Sequence, residues 1–453
     1  MSTPALCPVP PYSTGDETSF GHTSARSRWP IIITGVVDDL HRSAADATGA
    51  KAEEGRKLIE AFGALKHEVS HDRTLEPLED DGGEDIAVYN AELARQGPMS
   101  YGNAPWLYSE CYLYRKMYLL LQKTEHWKDY DIYGRQKMDA FVQSGRAVSE
   151  IAVRYKGLAG QLDGVSPEQL ELLFREFVDI SLWGNATDLS LLTSLSLEQL
   201  QSLQGEKARK ESEKYILAND VEAAFAAVKA APGGGIDIVL DNAGFEFYTD
   251  LILGLFVLDS KLASTVTFHT KRMPWFVSDV IPADFDLLVD ALASPADFPD
   301  HRPELDFLVD KLKKYHAAGS LVITTSPFWT TSLPFWEIRE GGLGGGDAVR
   351  SELLSSKCVF FKGDLNYRKL TYDSAWPTTT PFKTALGTLA TSGVKVMSLR
   401  TCKADVVVGL PAGKSDELEA AWIAETTAKG KPQVGKAWCW TGRWAVMQFS
   451  DGL

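Results

Sequence analysis

Asp241, Asn242 and Glu246 set three oxygen-bearing side chains within six residues, in the string I-D-I-V-L-D-N-A-G-F-E-F-Y-T-D at 236–250. Such a set offers hard ligands, suited to Mg²⁺ or Mn²⁺ and not to a metal that prefers thiolates. The residues before it, Ile236, Ile238, Val239 and Leu240, form an almost wholly apolar run after the turn signal at 232–235, which predicts a strand buried on both faces. Adjacent side chains on a strand point to opposite faces, so Asp241 and Asn242 can serve one centre only where the strand has ended. Gly244 supplies a turn, and Phe247, Leu251, Leu255 and Leu258 then recur at helical spacing. In open α/β sheets the ligand crevice lies off the carboxyl ends of the strands, beside helix N-termini with free N–H groups. An Asp-Asn pair at such a junction is also a common helix cap, so it gains weight only from the rest of the chain.

Three further strand ends supply that weight. The β-favouring run at 265–269 leads into K-R-M-P-W-F-V-S-D at 271–279, where Asp279 could complete a carboxylate-amide-carboxylate set with Asp241 and Asn242. Alone, it would be an ordinary loop aspartate. The run at 358–361 leads into K-G-D-L-N-Y-R-K at 362–369, with Asp364, Asn366, Tyr367 and Arg368, and the run at 394–399 leads into R-T-C-K, with Arg400 and Lys403. Arginine meets phosphate through its planar fork and lysine as a compact charge. Each cation alone reads as a solvated surface charge; on successive strand ends they read as partners for a phosphate.

The elements that must hold these residues change character along the chain. Residues 1–19 read as a disordered tail and 20–218 as an all-helical domain, with apolar residues at three-to-four spacing over 52–69, 91–94, 105–122, 133–155, 168–182 and 197–217. Residues 219–453 read as a metal-binding α/β domain. Its short β-favouring runs at 236–240, 265–269, 321–325, 358–361, 394–399, 406–410 and 444–449 alternate with helical segments. That alternation predicts a doubly wound, largely parallel sheet with helices on both faces. The glycine-rich segment at 341–346 follows no clear strand and reads as a flexible loop, not a phosphate cradle.

Composition excludes several classes. A net charge of −15 argues against nucleic acid as a partner, because phosphate-backbone binding needs a dominant basic face. The five cysteines are odd in number, dispersed and without C-x-x-C spacing, which argues against a disulfide framework or a zinc ribbon and for a reducing compartment. No apolar signal stretch opens the chain, and the longest apolar run, 251–258, is too short to span a bilayer. A soluble cytoplasmic protein is expected. The sequon at 185–187 then reads as chance. H-E-V-S-H at 67–71 matches the zinc motif H-E-x-x-H, but it lacks the G-x-x-H extension, and the Asp and Pro residues that follow end the helix without a third ligand.

Taken together, D-N-A-G-F-E, P-W-F-V-S-D, K-G-D-L-N-Y-R-K-L and R-T-C-K closely resemble the metal-dependent damage-control phosphatases once catalogued as a domain of unknown function, in the eukaryotic branch marked by R-T-x-K. In the helical half, A-P-W-L at 104–107, E-C-Y-L-Y-R at 110–115, L-W-G-N at 182–185 and D-L-S at 188–190 agree, so the resemblance spans nearly the whole chain past Phe20. It implies a helical domain on a Rossmann-like α/β domain, with a divalent metal (Mn, Mg, Co or Ni) held by Asp241, Asn242 and Asp279. Lys403 would join these three in catalysis. Substrate would meet Glu246, Asp364, Asn366, Tyr367, Arg368, Arg400 and Lys403, with Arg115, Asn185 and Asp188 as pocket walls. The implied substrates are small phosphomonoesters, namely sugar phosphates such as fructose phosphates or related damaged metabolites, and the implied location is the cytoplasm and also the nucleus. Some members of this branch carry the label of an S-adenosylmethionine-dependent protein-glutamate carboxyl methyltransferase. That alternative needs a nucleotide-binding glycine turn where this chain has Asp241 and Asn242. A non-catalytic sugar-phosphate sensor is the third reading, opposed by the intact ligand and cation sets.

Overall fold

The computed structural model describes residues 5–184, 213–230, 233–430 and 435–453, the side chain of Asp163 excepted. At its centre lie β1 Ile216–Asn219, β2 Gly235–Val239, β3 Thr265–Thr270, β4 Leu321–Thr325, β5 Ser356–Lys362, β6 Val396–Thr401 and β7 Ala445–Ser450. They form one seven-stranded sheet in the order β1-β7-β6-β5-β2-β3-β4. Every pairing is parallel except β6 with β7. From β2 the chain moves outward to β3 and β4, then crosses to β5 on the other side of β2 and on to β6. The winding therefore reverses between β2 and β5, where the crevice of such a sheet opens. The expected architecture is the one adopted: α/β, with a largely parallel sheet and a helical N-terminal region.

Alternation along β2 explains its almost wholly apolar run. Ile236 and Ile238 join the core built with the helices Phe245–Asp259 and Pro167–Leu182, whereas Val239 joins the opposite core with Val359, Phe361, Trp329 and Phe335. Both faces are buried, so apolar residues fill most positions, and the buried Asp237 between them is bonded to His269 Nε2 at 2.7 Å. A third core gathers Trp29, Leu40, Phe62, Tyr89 and Leu113 from the N-terminal helices, and Met273, Trp275, Leu365 and Ala404 enter it from segments that follow β3, β5 and β6. The helical region is thus seated directly on the strand-end segments. No helix among the described residues is long and apolar enough to cross a membrane.

Four local expectations are corrected. Residues 5–19 are not a loose tail: Tyr12 donates its N–H to Asp373 O at 2.9 Å and accepts from Trp106 N at 2.8 Å, and Ser13 bridges Pro105. Residues 406–410 are not a strand, because their polar groups bond elsewhere. Val406 O accepts from Arg400, Val408 N donates to Tyr367 Oη, Val408 O accepts from Gln448, and Gly409 and Leu410 donate to Thr380 and Thr378. The end of the helix expected at 197–217 is instead β1, at the sheet edge, and the rest of that segment, through 212, lies outside the described residues. The helices Gly145–Ala159 and Pro167–Leu182, assigned from sequence to the helical domain, share the core of the sheet, with Phe177 stacked on Phe256 at 4.6 Å.

Candidate functional site

The crevice between β2 and β5 is built by close backbone approach. Gly363, directly after β5, has φ +81°, and a Cβ placed on it would fall 1.9 Å from Asp241 Oδ2. Only glycine tolerates both the left-handed conformation and that contact. Gly363→Ala is expected to cost about 2–4 kcal/mol of stability, combining left-handed strain with displacement of Asp241, read as a lower urea midpoint together with weaker metal binding. Asn366 ties the same two strand ends, its amide donating to Lys362 O at 2.7 Å and Leu240 O at 3.1 Å.

The segment after β3 is fastened across Asp241. Val280 N donates to Asp241 O at 2.9 Å, Ala243 N donates to Ser278 O at 2.7 Å, and Asn242 bridges Asp279 in an isolated antiparallel pair. Phe276 and Val277 on the way there hold φ of 44° and 71°, a conformation that costs a β-branched residue energy and that tends to occur where a fold over-determines a working loop. The Asn242 amide donates to Asp241 Oδ2 at 2.7 Å and Glu246 Oε2 at 2.8 Å, while its oxygen accepts from the Ser278 hydroxyl. The carboxylate-amide-carboxylate set read from the sequence is therefore brought together in space, with Glu246 beside it.

Its electrostatics favour a cation. Burial, then Glu246 and Asp279, hold the Asp241 carboxyl well above the usual range, against the opposing pull of Lys271 and Lys403. Burial likewise lifts Asp279 to about 6, opposed first by Lys271. Lys271 Nζ lies 3.1 Å from Asp279 Oδ2 and also donates to Leu240 O at 2.7 Å. Crowded, buried carboxylates are a donor set that an oxygen-seeking divalent cation satisfies. A second arrangement, Glu54, Glu125 and His126 within 4.8 Å, is largely exposed, and Glu54 there accepts from the backbone of residues 125 and 126 as a loop clamp. His67 and His71 stack at 3.9 Å at a helix end, with Glu68 paired to Lys116.

The cations divide into two kinds. Arg368 is buried, bonded to Asp373 and Glu110, with its guanidinium 3.6 Å over the Trp106 ring. Arg400 is fully buried, bonded to Asp364, Ala404 O and Val406 O, and lies 4.2 Å over Tyr367. Tyr367 in turn donates to Gln448. These three were expected to touch substrate and instead face the interior, because their donors and ring faces are taken up by internal partners. Arg115 is likewise locked to Asp81 and Asp85, while Asn185 and Asp188 lie outside the described residues. Lys403 differs: it is half-buried, its stem runs along Gly442, its ammonium has no partner among the described residues, and its charge is felt at Asp241. Asp364 Oδ1 accepts from both Arg400 Nε at 2.8 Å and Lys403 N at 3.0 Å, so it fixes the turn that carries this ammonium. Sequence reasoning passed over Lys271 and Lys362. Both stand at strand ends, and Lys362 pairs with Asp250 at 2.8 Å and Glu246 at 3.4 Å.

Residues 24–418 match the profile described as the damage-control phosphatase ARMT1-like domain. Proteins named damage-control phosphatase ARMT1 are 31% identical in Danio rerio (100% of this chain, 99% of the relative) and 32% identical in Xenopus tropicalis (96% and 98%). The protein of that name in Homo sapiens is 30% identical (97% and 98%). A crystal structure of a DUF89 family protein from Pyrococcus horikoshii aligns over 92% of this chain and 97% of its own at 13% identity and a TM-score of 0.39.

Proposed function

Because the chain belongs to the damage-control phosphatase ARMT1-like family, we propose that it hydrolyses small phosphomonoesters, sugar phosphates above all, at the crevice between β2 and β5. It is a phosphatase, hence a hydrolase, and its family implies a divalent metal. We assign that metal to Asp241, Asn242 and Asp279, with Mn, Mg, Co and Ni as the cations to be tried and fructose phosphates or related damaged metabolites as the first substrates. The observation that carries the reading is a Lys403 ammonium without a partner among the described residues, whose charge acts on Asp241 within a crowd of buried carboxylates. The divalent cation, when bound, supplies Lewis-acid polarisation of a phosphoryl oxygen and helps deliver a water. Lys403 would set its charge against the phosphate dianion in a site screened from bulk water, where a fixed charge is worth more than in solution. Glu246 and the Ser278 hydroxyl orient the Asn242 amide, and Lys271 offsets part of the negative charge at Asp241.

Arg400 and Arg368 take a different role in this reading from the one their motifs suggested. Arg400 holds Asp364, and Asp364 holds the Lys403 turn, so the guanidinium acts at one remove from phosphate. We propose a helical unit and a metal-binding unit, with the boundary expected at 218/219 moved ahead of the helix Gly145–Ala159, because that helix, Pro167–Leu182 and β1 belong with the sheet. Four of the five cysteines are buried and none is paired, which supports a reducing compartment, the cytoplasm. The test is phosphate release from a panel of sugar phosphates, with each of the four metals and after chelation. Release that depends on added metal and stops with chelator is expected; release indifferent to chelator, or none with any metal, would sink the proposal.

A further inference from the structure

The segment at 5–20 ends on a buried carboxylate two residues from Lys403. Pro11 bridges Ser374 and Ser13 bridges Pro105, while Ala375 N donates to Pro10 O at 2.9 Å, so the segment is stitched alternately to the α/β region and the helical region. It then closes on Asp405. Ser19 Oγ donates to Asp405 Oδ2 at 2.9 Å, Phe20 N donates to the same oxygen at 2.9 Å, and Trp440 Nε1 donates to Oδ1 at 2.9 Å. Phe20 stacks on Trp440 with ring centres 5.2 Å apart, and Tyr12 Oη reaches Asp405 O at 3.4 Å. Asp405 is 2% exposed. A carboxylate taken this far out of water is retained only where several donors replace its hydration, and these come from the N-terminal segment and the Trp440 indole.

The turn at 402–405 is held at three places. Arg400 grips it from the sheet side through Ala404 O at 3.2 Å, Asp364 takes Lys403 N at 3.0 Å, and Asp405 fastens its far end to the N-terminal segment. The same segment meets the turn after the helix Gly363–Leu370, since Tyr12 N donates to Asp373, whose carboxylate binds Arg368. We propose that residues 5–20 form a strap which, through Asp405, positions the Lys403 turn against the crevice, making Asp405 and Ser19 positioning residues for phosphate hydrolysis. The inference rests on Lys403 being the residue that meets phosphate. Asp405 touches neither metal nor substrate; it acts by removing the freedom of a turn whose ammonium must sit at one place, and small misplacements of such a group are costly in rate.

The experiment uses the full-length, metal-loaded chain carrying Asp405→Asn, which keeps the size of the side chain but turns one acceptor into a donor facing Ser19 and Phe20. Amide hydrogen exchange across 402–405 should speed up about tenfold or more in Asp405→Asn and by a smaller factor in Ser19→Ala, with bound metal unchanged. With a sugar phosphate, kcat/KM should fall about tenfold in Asp405→Asn. In a Lys403→Ala background the same substitution should cost nothing further, because the group it positions is gone. Equal losses in both backgrounds would show a merely structural role and overturn the inference, as would unchanged exchange at 402–405. If the wild-type chain releases no phosphate, the functional reading fails visibly in that control, and the exchange measurement still decides whether the strap holds the turn.

Discussion

Asp279→Asn should retain the fold and lose bound metal and turnover together, with phosphate release falling about a thousandfold or more. The substitution keeps the side-chain size, the backbone pairing of residue 279 with Asn242, and the Val280 N–H bond to Asp241 O, so the segment after β3 has no reason to move. What it removes is one of the two carboxylate charges assigned to the cation. A metal acting on a phosphoryl oxygen contributes several kcal/mol of transition-state stabilisation, and about 4 kcal/mol corresponds to about a thousandfold in rate. The stability response of the metal-free chain has two opposing parts. Burial lifts the Asp279 carboxyl to about 6, so an ionised group at this place is held at a cost in the metal-free chain. The variant also strips the buried Lys271 ammonium of a carboxylate 3.1 Å away, so the comparison that decides is with metal: added metal should raise the melting point of wild type alone. Elemental analysis, phosphate release and thermal unfolding on one preparation check all three. Full metal occupancy in Asp279→Asn would remove this residue from the ligand set.

Lys403→Ala should cut turnover about ten- to a thousandfold while leaving the metal in place. A charge-assisted contact to a phosphate dianion is worth about 1.5–3 kcal/mol in binding, and more where charge develops in the transition state. The lost ammonium has no partner among the described residues to strand, so the loss should appear in kinetics and not in folding. Arg400→Ala is a poor substitute for this test, because it would abandon Asp364 and two buried carbonyls and unsettle the fold. The same variant separates hydrolysis from methyl transfer: a sulfonium donor gains nothing from a nearby ammonium, since like charges repel. Phosphate release unchanged in Lys403→Ala would take the residue out of the site, and loss of methyl transfer alone would favour the rival activity.

How far the sequence could be read depended on whether the information was local. That Asp241, Asn242 and Asp279 stand at strand ends around one crevice was legible because an apolar run of strand length that stops on polar, oxygen-bearing side chains marks a strand end. The alternation of β-favouring runs with helical spacing was enough for the class of sheet. The direction of the cations was not legible. Arg368 and Arg400 stand on strand-end motifs as Lys403 does, but a string of residues does not say that Trp106, Glu110 and Asp373 will surround one and that Tyr367 and the 404–406 carbonyls will surround the other.

The N-terminal segment and residues 406–410 were misread for the same reason. The polar, proline-bearing stretch before Phe20 has no periodicity, and its order comes from partners at 104–106, 373–375 and 405. The valines at 406–408 carry a strand's composition, but an arginine, a tyrosine and a glutamine from elsewhere take their backbone groups before any neighbouring strand can. By itself the sequence determined the type of ligand atoms, the strand ends that carry them and the class of fold, because these follow from side-chain chemistry and short-range periodicity. Only the tertiary structure decided which charges reach the crevice and which are consumed inside, because that depends on which buried groups, distant in the chain, must find a partner once water is excluded.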